Sequence, residues 1–147
     1  MELTIRPYRP ADERSVIRLW QECGLVVPQN NPKLDIERKL RVNPDWLLVG
    51  ELAGEVVATC MVGYEGHRGW INYLAVAPSL QRKGCGAQMM GRAEALLASV
   101  GCAKINLQVR SSNQRVMEFY RRIGFSVDEV IGMGKRLEQD PPYEPAR

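Results

Sequence analysis

Six consecutive residues, Gln81-Arg82-Lys83-Gly84-Cys85-Gly86, form the segment of this chain best suited to hold a ligand. They follow a β-prone run and Pro78, and with Ala87 they lead straight into a helix-patterned stretch. Such a turn points several backbone N–H groups and the positive end of a helix at one place, which is an anion cradle. Gly84 and Gly86 are expected to clear side chains from the path of a phosphate, with Arg82 and Lys83 adding charge at the rim. The spacing matches neither the nucleotide loop Gly-x-x-x-x-Gly-Lys-Ser/Thr nor the three-glycine dinucleotide fingerprint. A phosphate-bearing ligand of another kind and a ligand-free, glycine-rich helix start both remain open on this turn alone.

The remaining reactive side chains are few. His67 is the only histidine, and Cys23, Cys60, Cys85 and Cys102 show no CxxC or Cys/His spacing. No metal site is therefore expected, and the cysteines read as reduced, mostly buried thiols. The chain has 147 residues, 45% of them hydrophobic, and a net charge of +3. That is one domain, residues 1–147, with a full core and no long basic run, so nucleic-acid binding is not suggested. No apolar window approaches the roughly 18 residues of a membrane span, and the start lacks a basic, then apolar, leader. A soluble, cytoplasmic protein is expected.

The elements that must position the turn follow from periodicity. A short strand, Leu3 to Arg6, ends at Pro7 and Pro10. A helix opening near Asp12 carries Val16, Ile17, Trp20 and Cys23 on one stripe and stops at Gly24. Asn31 can cap a second helix with Pro32 in its first turn, and Asn43-Pro44 ends it. Trp46 to Leu52 and Val56 to Tyr64 are strands joined by a tight turn at Ala53-Gly54-Glu55; Trp70 to Val76 continues the antiparallel meander. The glycine turn then opens a helix with Met89, Ala93, Leu96 and Val100 in register, followed by a strand from Ala103 to Val109. Asn113 can cap a last helix carrying Val116, Phe119, Tyr120 and Ile123, with Gly124 ending it. A final strand is expected over Ser126 to Lys135, and a loose tail over 139–147. These elements make a single α/β (α+β) domain with a mostly antiparallel sheet and about four helices.

Leu74-Ala75-Val76-Ala77-Pro78 together with Gln81 to Ala87 resembles the acetyl-CoA-binding motif of the GNAT superfamily, the Gcn5-related N-acetyltransferases, with its Gln/Arg-x-x-Gly-x-Gly/Ala core. Asn113 opening a helix, Tyr120 seven residues on and the Gly124-Phe125 close resemble the family's later motif. Ile5-Arg6-Pro7 with Ala11-Asp12 fits its opening, so the likeness spans residues 3 to about 136. Within the superfamily the chain is most similar to the bacterial YpeA-type acetyltransferases, through Asp35-Ile36-Glu37-Arg38-Lys39, Gly63-Tyr64, Gly66-His67-Arg68-Gly69 and Gly134-Lys135-Arg136-Leu137.

The resemblance implies a fold in which the fourth strand is bulged and splays from the fifth. It also implies acetyl-CoA as co-substrate: Gln81, Arg82, Lys83, Gly84, Cys85, Gly86 and Ala87 at the pyrophosphate, Leu74, Ala75 and Val76 along the pantetheine arm, and Asn113 and Tyr120 also in contact. It places a general acid for the leaving thiolate at Tyr120, whose alternative is plain packing on its helix face. Cys85 stands where relatives carry an aliphatic residue and reads as a small buried hydrophobe. Many relatives carry an acid where this chain has Asn72, and an amide takes no proton at neutral pH. Glu65 is the first substitute base and His67 the second. Asp35, Glu37 and Glu65 are candidates to line an acceptor site. The implied function is direct N-acetyl transfer from acetyl-CoA to a primary amine of a small molecule, peptide or protein. The alternative is a non-catalytic acyl-CoA-binding or sensing domain. Dimerisation is common in the superfamily, so a homodimer is also among the expectations.

Overall fold

A computed structural model describes residues 1–145. Five strands lie in sequence order: β1 (Thr4–Pro7), β2 (Leu47–Leu52), β3 (Glu55–Tyr64), β4 (Gly69–Val76) and β5 (Ile105–Leu107). The first three pairings are antiparallel and β4–β5 is parallel. The helices are α1 (Glu13–Glu22), α2 (Pro32–Val42), α3 (Cys85–Ser99) and α4 (Gln114–Arg122). Parallel neighbours need a crossover, and α3 is that crossover.

The caps read from the sequence form. Asn31 accepts hydrogen bonds from the N–H groups of Lys33 and Leu34, and Asn113 accepts from Val116 at 3.2 Å. Ala53 and Gly54 both take positive φ, 52° and 80°, the pair of left-handed residues that a two-residue hairpin turn requires. Buried Val16, Ile17, Leu19 and Trp20 of α1 and Ile36 of α2 pack with Leu47 and Val49 on one face of the sheet. Met89, Met90, Ala93 and Leu97 of α3 pack with Leu48, Ala58, Val62 and Tyr120 on the other. Each layer follows from an apolar helix stripe meeting the alternating faces of the strands.

Two features of β4 shape the site. It pairs with β5 only through Gly69, Trp70 and Ile71, so from Asn72 onward its outer edge has no strand beside it. Its register against β3 also shifts between the pairs Met61–Asn72 and Thr59–Ala75. One residue of β3 thus faces two of β4, Tyr73 and Leu74, and Tyr73 adopts φ +49°. This is a bulge, and it arises together with the splay as the family likeness implies.

One expected strand does not form. Ser126 to Lys135 forms no strand; Val127, Val130, Ile131 and Met133 are all exposed, and β-propensity without a paired neighbour does not make a strand, least of all with Gly132 and Gly134 in the run. The fifth strand is correspondingly shorter than Ala103 to Val109. Within the expected tail, the Asp140 side chain is 2% exposed and pairs with Arg38 at 2.7 Å while accepting the N–H of Asn31 at 3.2 Å. Residues 146 and 147 of the expected tail lie outside the described residues.

The Arg38 guanidinium, with the Asn31 N–H, holds the Asp140 carboxyl down to about 2. The folded pKa lies below the unfolded one, so this tether is complete above about pH 5 and is lost as pH falls towards 2. Asp140→Asn is expected to lower Tm at pH 7, with the gap to wild type narrowing over that same acid range. Thermal denaturation followed from pH 7 downward measures it.

Candidate active site

Beside the open edge of β4 lie two cavities. The larger, about 1360 Å³, is bounded by Trp70 and Asn72 of β4, the β5 segment, Tyr120 and Ile123 of the α4 region, and the stretch after Phe125. The smaller, about 450 Å³, lies on the α2 side, between Asp35, Arg38, Lys39 and Val42 of that helix and Met61, Gly63, Asn72 and Tyr73 of the sheet. Asn72 lines both. β5 pairing ends at Ile71, which leaves Asn72 open to the larger cavity, and the bulge brings Tyr73 beside it on the α2 side, whereas an unbroken strand would send the two to opposite faces.

The bulge is held from behind. Thr59, fully buried, donates its hydroxyl to the carbonyl oxygen of Tyr73 at 2.8 Å and accepts the indole N–H of Trp20 at 2.9 Å. The Trp20 and Tyr73 rings stack at 3.8 Å, and the Tyr73 hydroxyl donates to Asp35 at 2.7 Å. Burial, reinforced by that carboxylate, pushes the Tyr73 phenol well up, so it stays protonated as a fixed donor. A bulky residue at positive φ carries strain, and these three contacts offset it.

Tyr120 is 8% exposed, with Phe119 and Phe125 edge-on at 5.1 and 5.4 Å. Burial pushes its phenol far above the ordinary range, and the neighbouring Cys60 adds to the shift. A tyrosine so placed keeps its proton at every physiological pH and can offer it to the cavity it lines.

At the glycine turn, Gly84 takes φ +88° and immediately precedes α3. No side chain caps that helix, and its first internal bond runs from the Gln88 N–H to the Gly84 oxygen. The N–H groups of Cys85, Gly86 and Ala87 therefore remain for a ligand. Nothing lies within 4 Å of the point a Gly84 side chain would occupy, whereas at Gly86 it would meet Phe119 of α4 at 3.1 Å. Gly86 thus serves the close approach of α3 and α4, a packing role beside the phosphate clearance expected of it. Gln81 donates its amide to the Val76 oxygen at 3.1 Å. Arg82 and Lys83 are exposed at the rim, and Cys85 is buried at 1%. Leu74, within the bulge, and Ala75 and Val76 beyond it lie along the open edge.

The cradle, the splay and the bulge agree with a comparison against known proteins. Residues 10–125 match the model of the acetyltransferase (GNAT) family. An acetyltransferase of Sodalis glossinidius is 44% identical over 142 residues, which cover 96% of this chain and all of that one. The chain belongs to the GNAT acetyltransferases. Among solved structures, Ard1 from Thermoplasma volcanium superposes with a TM-score of 0.78 at 26% identity, covering 87% of this chain and 85% of the other. A PaiA N-acetyltransferase from Thermoplasma acidophilum, solved with coenzyme A, gives 0.76 at 18% identity, covering 90% and 94%, and shows the shared fold.

Within this GNAT domain the structure separates the candidates. Tyr120 and Asn72 line one cavity, but Glu65 and His67 line neither. The Glu65 carboxylate accepts the backbone N–H groups of Arg68 and His67, which hold it below the usual carboxylate range. A carboxylate occupied in closing its own loop, and made less basic by it, is badly suited to take a proton. Glu37 is exposed, whereas Asp35 reaches the α2-side cavity. Thr59 and Tyr73 carry no local signal of these roles in the sequence. Asp35 and Lys39 do carry one, since their i,i+4 spacing places both on one helix face.

Proposed function

We propose that this GNAT acetyltransferase moves an acetyl group from acetyl-CoA directly to a primary amine, with the two cavities that meet at Asn72 taking donor and acceptor. That junction carries the reading, since direct transfer needs both substrates to reach one point from opposite sides. Acetyl-CoA supplies the activated acyl group. The free N–H groups at the start of α3, with Arg82 and Lys83, suit its pyrophosphate. The open edge from Leu74 to Val76 suits its amide-bearing arm, as an added strand would pair there.

An amine attacks only when neutral, and a lysine-type amine is almost wholly protonated at neutral pH. Asp35 is the one carboxylate lining the smaller cavity; already engaged by Arg38 and the Tyr73 hydroxyl, it orients the incoming ammonium, whose proton leaves through water to solvent. As the new C–N bond forms and the C–S bond breaks, Tyr120 gives its proton to the departing thiolate. The bulge backbone at Tyr73 and Leu74 supplies N–H groups near the developing oxyanion. The likeness to YpeA-type enzymes and a cytoplasmic location belong to the same reading.

The test is free-thiol release from acetyl-CoA in the presence of a panel of amines, with product acetylation followed by mass. Amine-dependent release is expected. Binding of acetyl-CoA with no release above background for any amine would instead establish the acyl-CoA-binding or sensing role that Asn72 otherwise supports.

A further inference from the structure

Resting on that reading, the smaller cavity also indicates which amines it takes. Three charged side chains of α2 line it: Asp35, Arg38 and Lys39. Arg38 is committed to Asp35, Glu138 and Asp140 at 3.2, 3.4 and 2.7 Å. Asp35 receives both Arg38 and the Tyr73 hydroxyl. Lys39 forms no ion pair among the described residues. Its ammonium donates to the Val62 carbonyl oxygen and, at 3.5 Å, to the Asn43 side chain. One of its three N–H donors is left over. Burial pushes that ammonium down, the expected response of a cation removed from water without a partner.

We propose that Lys39 anchors the carboxylate of the acceptor, so that the acceptor is a free amino acid or a similarly small amino-carboxylic acid. Position supports this. The Lys39 Nζ lies 3.8 Å from where a Gly63 side chain would begin, and Met61, two residues earlier on β3, pairs with Asn72. Anchor and junction are thus separated by roughly 5–8 Å, from the strand rise and cross-strand spacing. A carboxylate on Lys39 brings an amine a few bonds away to the junction; an isolated lysine ε-amine or a polyamine brings no anion to satisfy it. Asp35, one helical turn from Lys39, disfavours a dianion such as phosphate and favours the positive end of a zwitterion. The volume of about 450 Å³ is that of a small-molecule pocket.

The experiment compares kcat/KM for a set of L-amino acids with their carboxamides, on the wild-type protein and on Lys39→Met and Lys39→Gln. Wild type is expected to favour the carboxylates by about tenfold or more, as a charge-assisted contact would confer. In both variants the ratio is expected to fall towards one. Acetyl-CoA affinity by calorimetry checks that each variant is folded. Equal use of carboxylates and carboxamides by the wild type overturns the proposal without any variant, as does a preference that survives both substitutions. Acetylation of polyamines or peptides alone overturns it while leaving N-acetyl transfer intact. Absence of turnover with every amine strikes at the transfer reading itself.

Discussion

Replacing Tyr120 by Phe is expected to lower kcat by about 100- to 1,000-fold while raising the Kd for acetyl-CoA far less, because a positioned proton donor contributes on that scale. The substitution removes one oxygen and keeps the ring between Phe119 and Phe125, where edge contacts at 5.1 and 5.4 Å would persist. It therefore separates the two roles that helix patterning alone left open. If the tyrosine only packs, Phe is a near-perfect substitute and kcat stays within about threefold. Burial of the phenol adds a second signature. Its pKa is raised in the folded protein, so the acid is not lost as pH climbs through the ordinary tyrosine range. The kcat profile of wild type should show no descending limb attributable to this group up to about pH 10. Stopped kinetics of thiol release and calorimetry of acetyl-CoA together read both outcomes.

What could be read ahead of the fold was whatever depends on neighbours in sequence. The caps at Asn31 and Asn113, the Ala53-Gly54 turn and the helix stripes are local chemistry, and they form where the residues placed them, except at Val100, which lies exposed just past the end of α3. The glycine turn was legible for the same reason, although the contact that Gly86 makes possible with Phe119 across the helix pair was not. Glu65 looked suitable because it ends a strand near the cleft. Its engagement by the N–H groups of Arg68 and His67 is a property of loop conformation that composition does not reveal. Asp35 and Lys39 were visible as charges on a helix, but which face would be covered by β3 and β4 depended on how α2 docks. The strand expected over Ser126 to Lys135 had suitable residues and no partner to pair with.

Tyr73 is the extreme case. Nothing local predicts a left-handed tyrosine within a strand; its conformation is imposed by Thr59 and Trp20, which reach it from β3 and α1. This yields the second large effect. Thr59→Val keeps size and branching but leaves the Trp20 indole N–H and the Tyr73 carbonyl without their buried partner. Each orphaned group costs about 1–3 kcal/mol, so roughly 2–5 kcal/mol of stability is expected to go, a fall in Tm of about 5–15 °C. Activity should fall further than stability requires. With its hydrogen bond gone, Tyr73 can relieve its positive φ by reverting towards regular strand geometry, and removing one extra residue from the register turns every later β4 side chain to the opposite face. Tyr73 would then leave the α2-side cavity, and the edge from Leu74 to Val76 would no longer present the same groups beyond Asn72. Thermal denaturation and acetyl-CoA calorimetry at a temperature where the variant remains folded separate these effects. A folded Thr59→Val protein that binds acetyl-CoA and turns over within about threefold of wild type would show that the bulge stands without this hydroxyl. Weakened binding in a protein that is still folded would instead make Thr59, remote from either substrate, the residue that positions both.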